Sequence, residues 1–225
     1  MKTAPSISIV TPSFQQARFL EATIRSVLTQ DYPRFEYFVI DGGSTDGSCQ
    51  IIDRYASQLS YSCSRPDAGQ ADAIATGFTR ATGDILGWLN SDDLLLPGAL
   101  SAVASYFAAQ PRIDVVSGGG YMIRPCGQPL AKRFGTVTRG LRATSGRLRF
   151  YAMDGVFQPA TFWRRSAYQR VGGIDRQLRF AMDRDLLIRL AQEGRWGRLP
   201  RMLAAFRVHG ESKSMTMQDV RRQET

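Results

Sequence analysis

Between Ile7 and Leu89, short apolar runs alternate with stretches whose apolar residues return every three or four positions. That rhythm is the mark of a parallel α/β sheet, in which each buried strand is followed by a helix that carries the chain back across the sheet. Ile7-Ser8-Ile9-Val10 reads as a first strand ending at Thr11-Pro12-Ser13, and Phe19, Leu20, Thr23, Ile24, Val27 and Leu28 form the buried stripe of the helix after it. Tyr37-Phe38-Val39-Ile40 reads as the second strand, closed by Asp41-Gly42-Gly43. Ser44 or Thr45 is expected to cap the next helix, with Asp46 in its first turn and Ile51, Ile52 and Tyr55 facing the core. A weak strand over Tyr61 to Ser64 leads through Arg65-Pro66-Asp67-Ala68-Gly69 into a helix from Gln70 to about Ala81. Ile85-Leu86-Gly87-Trp88-Leu89 is a buried strand that ends at Asn90-Ser91-Asp92-Asp93. Pro97 is expected to open the helix carrying Leu100, Val103, Ala104 and Phe107.

After residue 112 the rhythm changes. A strand over Asp114 to Ser117 is expected to break at Gly118-Gly119-Gly120 and resume at Tyr121-Met122-Ile123. Further on, a helix over Asp183 to Gln192 carries Leu186, Leu187 and Leu190 on one side, and a short strand and loop follow over Leu203 to His209. The 225 residues fit one domain, with no internal repeat and no low-complexity linker. The uncharged run from Leu94 to Pro111 is interrupted by Pro97-Gly98, which leaves a helix of roughly 20 Å against the roughly 30 Å of a bilayer core. It reads as a core helix. The first residues show no basic stretch followed by a long apolar run, so no signal peptide is expected. Three widely spaced cysteines, Cys49, Cys63 and Cys126, make neither a disulfide framework nor a metal cluster. The expected compartment is therefore reducing: the cytoplasm, or the cytosolic face of a membrane.

The net charge of +9 is concentrated. From Val115 to Phe150 there is no acidic residue, while Arg124, Lys132, Arg133, Arg139, Arg142, Arg147 and Arg149 are basic. Such a stretch is a solvated loop region, or a contact for an anionic acceptor, a membrane surface or nucleic acid. Nucleic acid ranks last, because Phe134 is the lone aromatic ring between Arg124 and Arg149 and stacking platforms are scarce.

In open parallel sheets, ligands bind beyond the carboxyl ends of the strands. Thr11-Ser13, Asp41, Asp67 and Asp92-Asp93 fall on four successive strand ends here. Asp is a common turn former and cap, so Asp46 and Asp67 could each be structural. Adjacent carboxylates such as Asp92 and Asp93 repel and need a compensating cation or strong hydrogen bonds. A hard divalent ion bound to a diphosphate would supply that charge, because Mg²⁺-type ions take one or two carboxylates plus phosphate oxygens.

Five stretches taken together resemble family-2 glycosyltransferases with the GT-A fold. They are Ile9-Val10-Thr11-Pro12-Ser13, Val39 to Gly47, Trp88 to Asp93, Met182-Asp183-Arg184-Asp185-Leu186, and Phe206-Arg207-Val208-His209-Gly210-Glu211-Ser212. The resemblance runs from Ser6 to about Ser214. It implies a Rossmann-like, mostly parallel sheet flanked by helices, with residues 1–112 binding the nucleotide sugar and 113–225 supplying the acceptor side and catalytic base. By position it places Thr11, Pro12 and Asp41 at the nucleobase, Asp67 and Gln70 beside the ribose and base, and Ser13 and Asn90 among the other nucleotide-sugar contacts. It makes Asp92 a metal ligand, with Asp93 beside it to orient the donor sugar or support the metal. It assigns Asp183 as the base, with Asp185 supporting, and brings His209 to the metal or diphosphate. The implied cofactor is Mn²⁺ or Mg²⁺. The implied partners are a uridine or thymidine diphosphate sugar and a glycan or lipid-linked acceptor, in cell-surface glycan assembly.

Departures from the family pattern are Asn90 where a first Asp is usual, Met182 before the base in place of Glu, Arg65 in place of Glu, and Ala75-Thr76 in place of Asn-Lys. Arg195-Trp196 lacks the preceding Gln of polymer-making relatives, which favours single transfer. Gln158 to Trp163 reads either as an acceptor-side wall or as an aromatic core segment. Two rivals keep different chemistry. A sugar nucleotidyltransferase would need a Gly-rich basic loop after the first strand, and Thr11 to Gln16 is not one. A non-catalytic nucleotide-sugar or glycan-binding module would have no use for Asp183, Asp92 and His209 together.

Overall fold

The computed structural model describes residues 4–134 and 156–224. Strands β1 (Ile7–Ser13), β2 (Phe35–Asp41), β3 (Tyr61–Ser64) and β4 (Ile85–Trp88) pair in parallel, in the order β3-β2-β1-β4. Helices α1 (Ala17–Leu28), α2 (Ser48–Tyr55) and α3 (Gln70–Arg80) connect them. The register sets Ser13 opposite Asp41 and Asp41 opposite Ser64, so three strand ends finish side by side.

Beyond β4 the sheet becomes mixed. β8 (Thr161–Arg164) pairs antiparallel to β4 and to β6 (Val115–Ile123), and β9 (Trp196–Arg207) lies parallel to β6. The two-residue β5 (Leu94–Leu95) closes the edge on β9, and β7 (Pro129–Phe134) folds back on β6 as a hairpin. The remaining helices are α4 (Ala99–Ala109), α5 (Arg165–Arg170), α6 (Met182–Glu193), α7 (Lys213–Thr216) and α8 (Gln218–Glu224).

Both faces of the sheet are covered, which is why its strands read as nearly continuous apolar runs. On one face Leu20, Ile24 and Val27 of α1 and Leu100, Val103 and Phe107 of α4 pack on Ile7, Ile9, Val39 and Val116. On the other, Ile74 and Phe78 of α3 and Leu186, Leu187 and Leu190 of α6 pack on Val10, Phe38, Leu86 and Trp163. Phe162 and Trp163 fall on opposite faces of this core, so the aromatic pair is structural.

Four local readings need correction. α2 begins at Ser48, behind a left-handed Gly47 (φ 100°), so Asp46 precedes it rather than sitting in its first turn. There its carboxylate accepts the amides of Ala17 and Ser48 at 2.8 and 3.0 Å and fastens the starts of two helices. α4 begins at Ala99 after Gly98 (φ 73°), two residues past Pro97. The glycine triplet is no break: β6 is continuous through it, with its register against β9 shifting at Gly119 and Gly120, and β9 is twelve residues long rather than a short end piece.

The triplet exists to admit neighbours. A Cβ on Gly120 would stand 2.0 Å from Phe157 Cε1, and one on Gly118 would stand 2.5 Å from Leu203 Cδ1. Gly120→Ala is therefore expected to destabilise the fold by about 1–3 kcal/mol through overpacking, read as a lowered midpoint in urea. An unchanged midpoint would mean that Phe157 does not rest on β6.

Candidate active site

The carboxyl ends of β1, β2 and β4 border a cavity of about 890 Å³, within the range of small-molecule sites. From the first half of the chain Pro12, Ser13, Phe14, Gly42, Asp67, Gln70, Asn90 and Asp92 line it. From the second half Gln158, Pro159, Phe180, Asp183, Phe206 and Lys213 do.

Asp41 and Thr11 are fully buried. Asp41 accepts Ser44 N and Oγ at 2.8 and 2.7 Å, Ser64 Oγ at 2.6 Å and Gly43 N at 3.1 Å. Burial pushes its carboxyl up, but the hydrogen bonds from Ser44 and Ser64 outweigh it and hold the group below its ordinary value. Thr11 Oγ1 is 2.9 Å from the buried Tyr37 hydroxyl. Neither residue is among those that line the cavity, whereas their chain neighbours Pro12 and Gly42 are. The carboxylate presented at that end is Asp67, whose oxygens lie 3.1 and 3.2 Å from where a Cβ on Gly42 would stand. Desolvation, and then the charges of Asp72 and Asp41, lift the Asp67 carboxyl, while the Gly69 amide lowers it.

Phe14 sits beside Gly42 and is 60% exposed, a large apolar ring left open at the cavity. Gln15 holds it there in a left-handed conformation (φ 53°), donating its amide to Ser44 Oγ at 2.8 Å. For a residue with a Cβ that conformation costs about 1 kcal/mol, the kind of strain that accumulates at functional sites.

The Asn90–Asp93 turn is fixed from three directions. The buried Thr23 hydroxyl of α1 lies 2.9 and 2.8 Å from the carbonyls of Ser91 and Asp93. The Arg207 guanidinium on β9 donates to Asp92 O at 2.8 Å and Pro125 O at 2.7 Å, and the Arg207 amide donates to Asp93 Oδ1 at 2.9 Å. Asn90 accepts Gln70 Nε2 at 2.7 Å and faces Asp93 Oδ2 at 3.4 Å through its own amide nitrogen. A carboxylate at position 90 could not make that second contact and would set another negative charge beside Asp93. Asp93 is fully buried, is not among the residues that line the cavity, and braces the turn through the Arg207 amide. Burial, and then the Asp92 charge, pushes its carboxyl well above the ordinary range.

Asp92 alone of this pair lines the cavity, and its Oδ2 lies 3.0 Å from His209 Nε2. Neighbouring ligands about 2.1 Å from one octahedral ion stand about 3.0 Å apart, so the two atoms fit adjacent positions around a single divalent ion. Among the described residues the buried Nδ1 of His209 has no hydrogen-bond partner. Were Nε2 to bind a metal, Nδ1 would carry the ring proton with nothing to receive it, so Asp92 would be the stronger ligand of the two. Among the described residues no third His, Cys, Asp or Glu completes a cluster with them, so an ion held here would take its remaining ligands from water or phosphate oxygens.

Asp183 lines the cavity from the first turn of α6, with Oδ1 accepting the Arg184 amide at 2.7 Å. Burial raises its carboxyl above the ordinary value, against the Arg184 amide and the Lys213 charge. Asp185 turns away to Arg189, 3.0 Å from its Nε, and Arg189 also holds Val171 O and Gly173 O. Met182, standing where Glu is usual, is buried in the core. Gln158 reaches Trp88 O at 3.1 Å and lines the cavity.

Sequence reasoning gave no role to Phe14, Thr23, Arg207 or Lys213. Thr23 carried a signal, a hydroxyl in an otherwise apolar helix stripe, whereas Arg207 and Lys213 acquire their partners only through the tertiary fold. Arg139, Arg142, Arg147 and Arg149 of the basic stretch lie outside the described residues.

The sequence model of glycosyl transferase family 2 matches residues 8–172. The chain belongs to that family. It is 31% identical to an uncharacterized glycosyltransferase of Mycobacterium tuberculosis, over 85% of this chain and 71% of that protein. Its fold matches S. aureus TarS 1–349 in complex with UDP-GlcNAc (TM-score 0.75, 17% identity), over 94% of this chain and 60% of that one. It also matches the mannosyltransferase PcManGT from Pyrobaculum calidifontis in complex with GDP-Man and Mn²⁺ (TM-score 0.69, 20% identity), over 98% and 61%. The chain thus spans about three-fifths of each of these solved structures.

Proposed function

We propose that the protein moves a single sugar from a nucleoside-diphosphate sugar to an acceptor hydroxyl, with inversion, in cell-surface glycan assembly. The observation that carries this reading is one cavity lined both by Asp92, just past the end of β4, and by Asp183, at the start of α6. Residues up to 112 serve the donor, with uridine or thymidine diphosphate as the carrier. Phe14 offers its ring to the base, and Asp67 accepts from the base or ribose. Residues from 113 on serve the acceptor, a glycan or lipid-linked molecule, at the cytoplasmic face where donors are made. No helix among the described residues is long and apolar enough to cross a membrane.

Asp183 takes the acceptor proton as the new bond to the anomeric carbon forms. The bond from that carbon to the β-phosphate oxygen breaks, and the nucleoside diphosphate departs with the electron pair. Asp92 and His209 would hold Mn²⁺ or Mg²⁺, which supplies positive charge for the departing diphosphate. Burial of Asp183 suits this task, since a raised carboxyl is a stronger base once ionised. No side chain is needed as a covalent nucleophile, so the sugar's configuration should invert. Proton NMR of the product made from an α-linked donor is expected to show a β linkage. An α product would overturn the single displacement.

A further inference from the structure

We propose that Lys213 is a donor contact, its ammonium group binding a β-phosphate oxygen of the nucleoside diphosphate where the donor side of the cavity meets the base. The proposal rests on the nucleotide-sugar reading and adds a residue that reading does not use. Lys213 opens α7 and lines the cavity with Asp183. Its Nζ donates to Gln70 Oε1 at 2.8 Å, and Gln70 bonds Asn90 of the Asp92 turn at 2.7 Å. The ammonium therefore stands over the seam between α3, that turn and α6. The bond that breaks in transfer joins the anomeric carbon to a β-phosphate oxygen. The base must stand beside that carbon, and the phosphate next to it is the β-phosphate.

The charge arrangement asks for such a contact. The cavity wall carries four carboxylates, Asp67, Asp92, Asp183 and Glu211, against two cations, Arg179 and Lys213. Arg179 is exposed at the rim, and the buried Arg207 nearby is committed to backbone carbonyls. Lys213 is half-buried with one hydrogen bond, to a neutral amide, and with no ion pair among the described residues. Burial pulls its ammonium down to about 8. Asp183 on α6 and Glu224 on α8 favour the charged form, and Arg179 opposes it. A partly desolvated ammonium with N–H groups to spare gains most when an anion arrives. The same charge favours the ionised form of Asp183, which keeps the base ready.

A purely structural lysine would only tie α7 to α3 through Gln70. Calorimetry on the full chain with Mn²⁺ separates the two roles, with UDP, dTDP and GDP each run beside its monophosphate from pH 7 to 8.5. Lys213→Met is expected to weaken the diphosphate by about 10–100-fold, the worth of one charge-assisted hydrogen bond, and the monophosphate by less than about twofold. Lys213→Arg should restore the preference for diphosphate, and thermal unfolding of both variants should match the wild type. As pH rises through the lysine's range, the wild type should lose its diphosphate preference while Lys213→Arg keeps it. Equal weakening of mono- and diphosphate in Lys213→Met, or no weakening, overturns the proposal alone. A wild type that binds no nucleoside diphosphate overturns the nucleotide-sugar reading and this proposal with it.

Discussion

Asp183→Asn is expected to lower the turnover of sugar transfer by about 10²–10⁴-fold, the worth of a positioned general base, or about 2.7–5.4 kcal/mol of barrier. The amide preserves the size of the side chain and can still accept the Arg184 amide hydrogen bond, but it cannot take the acceptor's proton. Donor affinity, which the proposed function assigns to Phe14, Asp67 and the Asp92 turn, should hardly move. The pH profile adds a second reading. Because burial raises the folded-state pKa, activity should fall off on the acid side above the ordinary carboxylate range, and the residual activity of the Asn variant should lack that limb. The stability sign follows from the same shift. The native state holds the Asp183 proton more tightly than the unfolded chain, so ionising the group costs stability as pH rises through its raised pKa. At neutral pH Asp183→Asn should therefore leave the melting temperature unchanged or higher. Asp185→Asn is the opposite case, because it loosens Arg189 and with it the carbonyls of Val171 and Gly173. It should lose stability first and chemistry little. Wild-type turnover in Asp183→Asn, with a loss in Asp185→Asn, would move the base by two residues.

Asp92→Ala is expected to abolish metal-stimulated turnover, about a 10²–10³-fold loss, because a bound cation contributes several kcal/mol to a departing phosphate. The turn itself should survive, since Thr23 and Arg207 hold it through the backbone carbonyls of residues 91–93 and Asp93 is anchored separately. Titration of Mn²⁺ into the variant, with activity and melting temperature read together, checks both halves. Full wild-type activity in EDTA would remove the metal from the mechanism while leaving Asp183 its role.

The sequence disclosed the parallel half of the sheet because strands buried on both faces must be almost wholly apolar, and Tyr37 to Ile40 can hardly be anything else. It misled at Gly118-Gly119-Gly120, where glycine reads as a break only until Leu203 and Phe157, far along the chain, are seen to need the space. The site was legible as a list of strand-end residues, since the topology alone brings Ser13, Asp41 and Asn90–Asp93 to one edge. Which of them face the cavity was not legible. Asp41 and Asp67 look equivalent in sequence, yet Asp41 is saturated by Ser44 and Ser64 while Asp67 opens on the cavity. Asp92 and Asp93 diverge the same way: the first turns to His209 and the second to the Arg207 amide. Those choices depend on β9, whose pairing with β6 spans the fold and leaves no local signature.

The measurement that bears most directly on the account is nucleoside-diphosphate release from a panel of UDP-, dTDP- and GDP-sugars, with Mn²⁺ or Mg²⁺ and glycan or lipid-linked acceptors. The account predicts release from a uridine or thymidine donor, stoichiometric with sugar on the acceptor and lost in Asp183→Asn. Donor binding without release from any member of the panel would make the protein a binding module, and pyrophosphate as the product would make it a nucleotidyltransferase.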